Sequence, residues 1–474
     1  MEIEQLPQSG SSRKYYRITA EDAKKSRRSY IAVHNINIAE NKTFIHFSRH
    51  FKKENAPAPE IIAVNEDGTI YLQQDFGNET LLNKLEQYGH TNYVFDLYKK
   101  SLKELAHLQI NGGKELDYDH CITSKEFGKQ AILGDLLYFK YYFLDTLNIP
   151  YDKEKFIGEL DQLSNYLAKA NHLYFMFRDF QARNIMVKND EVFFIDYQGG
   201  MKGALQYDVA SLLWQAKANL SEDWKNELLS YYIECVQSVL KKPIDKKEFE
   251  SQYNGYVLIR LLQVLGAYGF RGLFERKAHF LTSIPLALQN LKWFLKNKKV
   301  GINVPEVERL LSLIVQDETR EKFETIKANE KTGLVVKINS FSFIKTGYPK
   351  DVSTHGGGFV FDCRGILNPG RIEQYKKLTG RDKSVKEYLE QQTRMEEFLM
   401  SCFNVVDIAV EDYIKRDFEN LTVNFGCTGG QHRSVYAADA LARHLGNKYG
   451  VKTEIIHIEQ EALNVILTEE PLRL

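Results

Sequence analysis

Two aspartates and an asparagine follow one another in a pattern that suits chemistry on phosphate. Four residues separate Asp179 from Asn184, and Asp196 comes twelve residues after Asn184. Transfer of a phosphoryl group needs a carboxylate beside the acceptor hydroxyl and oxygen ligands for Mg²⁺. Asp179 is therefore the candidate catalytic residue, and Asn184 and Asp196 are the candidate metal ligands. The alternative is that these side chains only cap turns, as Asp and Asn often do.

Short apolar segments must position these polar groups. Residues 185–187 and 192–195 predict a hairpin of two short strands that starts after Asn184 and ends at Asp196. Strands are also predicted over 15–18, 30–33 and 69–72, with a helix over 41–53, and helical periodicity runs from about residue 91 to 315. A strand-rich start followed by helices predicts an α+β domain.

A charged segment separates this domain from a second pattern. Residues 316–331 are nearly free of large apolar side chains, and a strand pattern opens at Gly333. Strands then alternate with helices, which are predicted over 384–403 and 433–449, so a small α/β domain is expected. We predict a domain over 1–318, a charged linker over 319–332 and a second domain over 333–474.

Composition narrows the classes of partner. The 474 residues carry a formal net charge of zero, which predicts no general attraction to nucleic acid or to an anionic membrane. The N-terminus lacks the pattern of a signal peptide, and no apolar run looks long enough to span a bilayer. Five scattered cysteines without metal-site spacing predict reduced thiols, and we expect a cytoplasmic protein.

A loop near the N-terminus is a candidate for holding nucleotide phosphates. Glycine and serine let backbone amides approach phosphate, and the basic residues that follow add positive charge. Taken alone, the segment is an ordinary hairpin turn. Its candidate nucleotide-binding residues are Ser9, Gly10, Ser11, Ser12, Arg13 and Lys14.

With these residues in view, residues 1 to about 315 resemble the aminoglycoside phosphotransferase and choline kinase superfamily. The catalytic run of that superfamily reads H-x-D-x-x-x-x-N with a later Asp, and this chain has Phe177 in place of the His. Asp208 resembles a superfamily aspartate that steadies the catalytic loop. The resemblance implies a bilobal protein-kinase-like fold, with ATP and Mg²⁺ as cofactors and an alcohol group as acceptor.

One part of the superfamily pattern is not evident. The lysine that binds ATP on the third strand has no counterpart in residues 30–34. Arg13, Lys14 or Arg17 are the candidates to replace it at the phosphates.

A narrower resemblance concerns the substrate. Residues 12–17, 260–266 and 285–288 are similar to a subgroup that phosphorylates N-acetylmuramate and N-acetylglucosamine at the anomeric hydroxyl. This implies a small-molecule acceptor of the N-acetylhexosamine type. The alternative for residues 260–266 is a buried helix whose one charged residue, Arg260, has no substrate role.

A second candidate phosphate site lies in the predicted α/β domain. A glycine-rich turn between a strand and a helix can hold an anion on the helix N-terminus. The turn contains Thr428, Gly429, Gly430, Gln431, His432, Arg433 and Ser434. Cys427 and Arg433 also have the C-x5-R spacing of cysteine phosphatases, with Asp362 as a possible acid. The alternative is that Cys427 is a small buried residue.

The second domain resembles the C-terminal domain of the RNase adapter protein RapZ. The matching segments are residues 341–343, 359–364, 368–369, 378–382 and 426–436. The resemblance implies that residues 428–434 hold a sugar phosphate of the amino-sugar pathway. The C-terminal tail is acidic rather than basic, which speaks against RNA binding.

These observations predict an ATP- and Mg²⁺-dependent phosphotransferase that acts on a hydroxyl of an amino sugar, followed by an amino-sugar-phosphate sensing domain. Neither nucleic acid nor membrane is expected as a partner, and the oligomeric state is left open. The alternative is a degenerate kinase that binds nucleotide and metabolite as a regulatory protein. Phe177 and the missing strand lysine motivate that alternative.

Overall fold

The computed structural model describes residues 2–6, 13–21, 27–275, 278–324, 326–350, 358–461 and 465–467. The chain divides into two compact units, Met1–Phe323 and Glu324–Leu474. Each has its own hydrophobic core. The predicted linker over 319–332 contains the end of one short helix, and the boundary between the units lies within it.

The first unit opens with an antiparallel sheet of five strands in the order β1-β2-β3-β5-β4. The edge strands β1 and β4 were not predicted, because β1 and most of β4 are exposed and lack apolar alternation. The strands are β1 (Glu2–Gln5), β2 (Lys14–Glu21), β3 (Arg27–His34), β4 (Ile61–Val64) and β5 (Ile70–Gln74).

Helix α1 (Ile38–Lys53) lies between β3 and β4 in the chain. The side chain of Asn37 caps its N-terminus by accepting a hydrogen bond from the Glu40 amide at 3.2 Å. Phe44, Phe47 and Phe51 recur at helical spacing and are buried, so this face packs into the core of the first unit.

Helices dominate the rest of the first unit, and two two-stranded sheets interrupt them. Strand β6 (Tyr174–Met176) pairs with β9 (Met201–Gly203), and β7 (Ile185–Lys188) pairs with β8 (Glu191–Phe194). The helices are α2 (Leu81–Tyr88), α3 (Asn92–His107), α4 (Lys129–Tyr142), α5 (Lys153–Leu167), α6 (Leu205–Leu213), α7 (Glu222–Leu240), α8 (Lys246–Gly269), α9 (Ala278–Leu281), α10 (Ile284–Asn297), α11 (Pro305–Ile314) and α12 (Asp317–Glu321).

One helical stretch, Lys246–Phe274, has the length and apolar composition to cross a membrane, contrary to the expectation from the sequence. More than half of its most apolar window is buried within the structure. Helices α4, α6 and α10 pack against α8, so the apolar side chains of α8 serve the core of the first unit.

The second unit is a five-stranded sheet in the order β11-β12-β10-β13-β14. All neighbours pair in parallel except β14, which is antiparallel to β13. The strands are β10 (Val335–Ser342), β11 (Gly358–Asp362), β12 (Asn420–Cys427), β13 (Lys452–His457) and β14 (Val465–Leu467), and the helices are α13 (Lys383–Gln392), α14 (Met395–Lys415) and α15 (Arg433–Tyr449).

The prediction of a single helix over 384–403 is wrong, because the chain forms two helices there, α13 and α14. Thr393 has an extended backbone, and its hydroxyl donates to the Leu389 carbonyl at the end of α13. The same hydroxyl accepts a hydrogen bond from the Met395 amide at 3.1 Å, at the start of α14. Thr393 therefore ends α13, and its hydroxyl also bonds the first amide of α14.

Candidate functional site

The loop of residues 177–184, called the acidic loop below, presents Asp179. It runs from the end of β6 to the start of β7. Arg178 takes a left-handed backbone conformation with φ of 80°, and the Asp179 side chain is 50% exposed. The Asn184 side-chain amide donates to the Asp179 carbonyl at 2.9 Å, which closes the loop on itself. The carboxylate of Asp179 is therefore held at an accessible position by a fixed backbone.

Asp208 on α6 supports this loop from within, as its resemblance predicted. Its carboxylate accepts hydrogen bonds from the amides of Phe177 at 2.7 Å and Arg178 at 3.0 Å. The Gln109 side chain donates to it at 2.9 Å. Burial raises the pKa of the Asp208 carboxyl to about 7, although these N–H donors act in the opposite direction. The predicted role of Asp208 in steadying the loop is confirmed.

Phe177 replaces the histidine of the superfamily pattern with an apolar support. Its ring is fully buried and meets Phe180, Phe194 and Tyr197 edge to face, at centroid distances of 5.3 to 6.2 Å. Edge-to-face aromatic pairs add stability beyond the area they bury. The acidic loop is thus anchored by aromatic packing on one side and by Asp208 on the other.

Arg13 brings positive charge to the position where the strand lysine is missing. It is 7% exposed, precedes β2, and forms ion pairs with Glu40 of α1 at 3.0 Å and with Asp196 at 3.1 Å. In protein kinases a lysine on the third strand pairs with a glutamate of the following helix. The same connection is made here by an arginine just before the neighbouring strand β2, and it reaches the metal-ligand candidate Asp196 as well.

Asn184 and Asp196 flank the β7–β8 hairpin at adjacent ends. The Asn184 carbonyl oxygen accepts a hydrogen bond from the Ile195 amide at 3.1 Å, so the two segments run side by side. Asp196 has a left-handed φ of 71°, and Gln198 donates to its Oδ1 at 2.9 Å. Arg13 donates to the same oxygen. Carboxylate and amide oxygens suit Mg²⁺, and the chemistry of this pair fits such an ion.

The other basic candidates near the N-terminus lie elsewhere. Arg17 forms a two-point ion pair with Asp75, at 2.7 and 3.1 Å, and donates to the Gly77 carbonyl at 3.1 Å. Its guanidinium therefore fixes the segment after β5 rather than the phosphate end. Lys14 starts β2 opposite His34, and the described contacts do not join it to Asp196. Ser9, Gly10, Ser11 and Ser12 lie outside the described residues.

A cavity of about 140 Å³ adjoins the acidic loop. Arg260 of α8 lines it and also contacts Asp179 Oδ1 at 3.4 Å, so it connects the cavity to the candidate catalytic carboxylate. Among the lining residues that the structure describes there is no Asp or Glu. The polar and aromatic residues of the lining include Gln181, Arg183, Ser211, Trp214, Lys217, Arg260 and Tyr268.

The second candidate site is the loop of residues 427–434, called the glycine loop below. It joins β12 to α15. Cys427 is 2% exposed, and its sulfur is 3.2 Å from both the Gly430 amide and the Ser434 hydroxyl. Burial alone would raise the pKa of the Cys427 thiol, but the hydrogen bonds of Ser434, the Arg433 charge and the Gly430 amide outweigh it and lower the pKa.

Arg433 is occupied within the protein. It is 3% exposed, and its Nη1 lies within hydrogen-bonding distance of the carbonyls of Cys363, Arg364 and Ile366, at 3.3, 3.2 and 2.7 Å. Its Nη2 donates to the Thr428 hydroxyl at 3.2 Å. The guanidinium therefore joins the glycine loop to residues 363–366, and its fork is not presented to the outside as a free two-point anion contact.

Two further side chains tie the glycine loop to residues 375–378. Gln431 Nε2 donates to the carbonyls of Lys376 at 2.9 Å and Leu378 at 2.7 Å. His432 Nε2 is 2.9 Å from the Tyr375 carbonyl, and burial lowers its pKa. The backbone itself stays open, because a Cβ at Gly429 would meet no atom within 4 Å.

Asp362, the possible acid of the phosphatase hypothesis, is held by a neighbour. Arg364 contacts both of its carboxylate oxygens, Oδ1 at 3.0 Å and Oδ2 at 2.7 Å. This hydrogen bonding lowers the pKa of Asp362. A general acid must hold a proton at the working pH, and this environment opposes that.

Comparison with known families now identifies the first unit. Residues 2–239 match the model of the phosphotransferase enzyme family, which is half of the chain. The chain belongs to this phosphotransferase family. Residues 334–461 match the model of the RapZ C-terminal domain. The predicted resemblances to the phosphotransferase superfamily and to the RapZ C-terminal domain are confirmed, as is the predicted kinase-like domain followed by a small α/β domain.

Curated relatives match parts of the chain. A nucleotide-binding protein of Fusobacterium nucleatum subsp. nucleatum is 35% identical over 191 residues, which are 39% of this chain and 61% of the relative. A nucleotide-binding protein of Thermosipho africanus is 39% identical over 135 residues, which are 28% of this chain and 46% of the relative. The chain thus spans less than two thirds of the length of these relatives.

Solved structures are similar to about two thirds of the chain. A choline kinase of Cryptosporidium parvum Iowa II has a TM-score of 0.45 and 16% identity, over 66% of this chain and 93% of that one. A choline/ethanolamine kinase family protein of Mesorhizobium loti has a TM-score of 0.44 and 12% identity, over 66% and 92%.

Proposed function

We propose that the protein transfers the γ-phosphate of ATP to a hydroxyl of an N-acetylhexosamine-type sugar, with Mg²⁺, and that its second unit binds an amino-sugar phosphate. In this proposal Asp179 receives the hydroxyl proton, and Asn184 and Asp196 hold the metal. Residues 9–14 are proposed to bind the nucleotide phosphates, with Arg13 as the charged contact.

The observation that carries the proposal is the pair of contacts from Arg13 to Glu40 and Asp196. These contacts place Glu40 of α1 and the metal-ligand candidate Asp196 next to the permanently charged guanidinium of Arg13. Such an arrangement neutralises the charge of a nucleotide–metal complex, which is the main task in phosphoryl transfer. Asn184 is hydrogen-bonded to Asp179 and to Ile195. These bonds hold the loop that carries Asp179 in a fixed position relative to Asp196.

The cavity beside Asp179 supports a neutral or anionic acceptor. Arg183, Lys217 and Arg260 line it, and its described lining has no acidic side chain. A cationic acceptor would be repelled there, because like charges that meet in a closed site cost several kcal/mol. Trp214 and Tyr268 offer aromatic faces to the apolar side of a sugar ring.

The glycine loop supports the binding of a sugar phosphate by the second unit. His432 stands at the N-cap of α15 without a side-chain capping bond, and the Ser434 amide is bonded to the Cys427 sulfur. An anion at this helix N-terminus would use the other first-turn amides. Glu459 lies against Gly430, and its carboxylate can accept a hydrogen bond from a hydroxyl or amino group of the sugar.

A panel of acceptors tests the kinase half. The full chain is incubated with ATP, Mg²⁺ and N-acetylmuramate, N-acetylglucosamine or N-acetylgalactosamine, with choline and an aminoglycoside as cationic controls. Formation of a sugar phosphate is expected with at least one N-acetylhexosamine and with neither cation. Absence of product with every sugar, from protein that binds ATP, removes the substrate assignment.

A regulatory role for a degenerate kinase is the second candidate, favoured by Phe177 and by the arginine in place of the lysine. Titration calorimetry separates it from the first. Binding of ATP with Mg²⁺ but no turnover on any acceptor would support the regulatory role, and binding of a sugar phosphate by the second unit would then be its main output.

A further inference from the structure

Three side chains of the first unit converge away from the acidic loop. They are His46 on α1, and Asp117 and His120 in the turn that follows α3. One potential ligand atom from each lies within 4.8 Å of the other two. Within the part of the chain that the structure describes, this is the one group of three such residues at metal-binding distance.

One ring nitrogen of His46, Nε2, is buried without a hydrogen-bond partner among the described residues. The ring of His46 stacks on that of His120, with a centroid distance of 4.0 Å. A buried ring nitrogen without a partner is costly, and a metal ion is one of the groups that satisfy it.

The turn that carries the other two residues is held in place. Asp117 Oδ1 accepts a hydrogen bond from the Asp119 amide at 2.9 Å, while its Oδ2 is 3.6 Å from His120 Nε2. The Thr43 hydroxyl of α1 donates to the His120 carbonyl. These bonds fix the backbone of the turn against α1.

We propose that His46, Asp117 and His120 bind a divalent transition-metal ion of the Zn²⁺ class. Two imidazoles and one carboxylate suit Zn²⁺, which is bound by nitrogen and oxygen ligands and retains water in open positions. Mg²⁺ and Ca²⁺ prefer oxygen ligands throughout and do not suit this set. The exposed side chains of Asp117 and His120 leave a route for the ion from solvent.

The bound ion joins α1 to the turn of residues 117–120. Helix α1 also carries Glu40, six residues before His46 and roughly 9 Å away along the helix axis. Glu40 holds Arg13, so the same helix connects the metal site to the nucleotide end of the proposed kinase centre. This consequence depends on the proposed function, whereas the metal site itself does not.

The test measures Zn²⁺ binding and requires no kinase activity. Full-length protein without a histidine tag competes for Zn²⁺ with a chromophoric chelator, and Co²⁺ absorption reports the ligand geometry. One equivalent is expected to bind the wild type, and His120→Ala is expected to lower the affinity at least tenfold. His90→Ala is the matched control, because His90 is an exposed histidine of the same unit and contacts only Trp224 in ring packing.

Thermal unfolding supplies a second readout. Zn²⁺ is expected to raise the midpoint of the wild type and of His90→Ala but not that of His120→Ala, since an ion that binds only the folded state stabilises it. Equal Zn²⁺ affinity in the wild type and in His120→Ala overturns the proposal, as does failure of the wild type to compete with the chelator. Sugar phosphorylation by a protein that fails these tests would leave the proposed function intact.

Discussion

The acidic loop and the glycine loop are both candidates for handling phosphate, and they use their side chains in opposite ways. The backbone of the acidic loop is held by two buried groups, Phe177 within the loop and Asp208 on α6, and the side chain of Asp179 is left half exposed. In the glycine loop, Arg433, Gln431 and His432 are bonded to carbonyls of the protein, and the backbone is left open at Gly429.

This difference distinguishes a loop suited to catalysis from a loop suited to anion binding. A loop that presents a carboxylate beside a cation and metal ligands can move a proton and stabilise charge. A loop whose side chains are bonded internally offers backbone amides and a helix N-terminus, which bind an anion without changing it. Under the proposed function, turnover belongs to the first unit and binding to the second, and each prediction tests one side of this contrast.

The largest effect is expected at Asp179. Asp179→Asn removes the proton acceptor while keeping the size of the side chain, and kcat for sugar phosphorylation should fall by roughly 10²- to 10⁴-fold. Asp190→Asn, an exposed aspartate of the β7–β8 turn, is the control and should retain the wild-type rate. A wild-type kcat in Asp179→Asn would remove this residue from the catalytic role.

The second-largest effect on turnover is expected at Arg13. Arg13→Ala leaves Glu40 and Asp196 without their shared cation, and kcat/KM for ATP should fall by about 100-fold. Arg13→Lys keeps the charge but loses the fork that reaches both acids, so its loss should be intermediate. Steady-state kinetics in ATP measure both. An equal loss in the lysine and alanine variants would show that geometry, rather than charge, matters at this point.

In the second unit, the expected effect is on stability rather than on rate. The hydrogen bonds and charges of His457 and Arg381 outweigh burial and lower the pKa of Asp439 to about 2. Its folded-state pKa lies below the unfolded value of about 3.9, so it stabilises the unit above pH 4, and this is lost as the pH falls toward 2.

Asp439→Asn should therefore destabilise the second unit by roughly 2 kcal/mol at neutral pH and flatten its acid dependence. Hydrogen exchange of the α15 amides measures this locally, because all three tryptophans of the chain belong to the first unit. The rate of sugar phosphorylation should stay near that of the wild type at saturating substrate.

The smallest effect is expected at Cys427. Cys427→Ser should leave any hydrolysis of an aryl phosphate unchanged, because the thiol is buried and the candidate acid Asp362 is bound to Arg364. A loss of aryl-phosphate hydrolysis in this variant would give the glycine loop a catalytic role and abolish the contrast between the two loops.

Much of this contrast was predictable from local sequence. The spacing of Asp179, Asn184 and Asp196 predicted a loop and a hairpin, and both are present. The resemblance also pointed to Asp208 as a support of the loop. These features succeed because they depend on short segments whose residue types determine the local structure.

Contacts between distant segments could not be predicted from the sequence. Residues 30–34 contain no lysine, and only the fold shows that Arg13 reaches Glu40 and Asp196 instead, the latter 183 positions away. Arg433 was predicted as an anion contact, but it binds carbonyls near residue 365. A side chain with several donors selects its partners in the folded chain, and periodicity carries no signal for that choice.

The guanidinium at position 13 also has a consequence for chemical detection of the proposed nucleotide site. Acylating reagents carried on ATP analogues report kinases by modifying a lysine amine that has lost its proton. An arginine stays protonated at every physiological pH and is a poor nucleophile. At the ion pair with Glu40 and Asp196, such reagents would find no amine to acylate. Surveys built on them would overlook this protein at that position, whereas dicarbonyl reagents that react with guanidinium groups are suited to it.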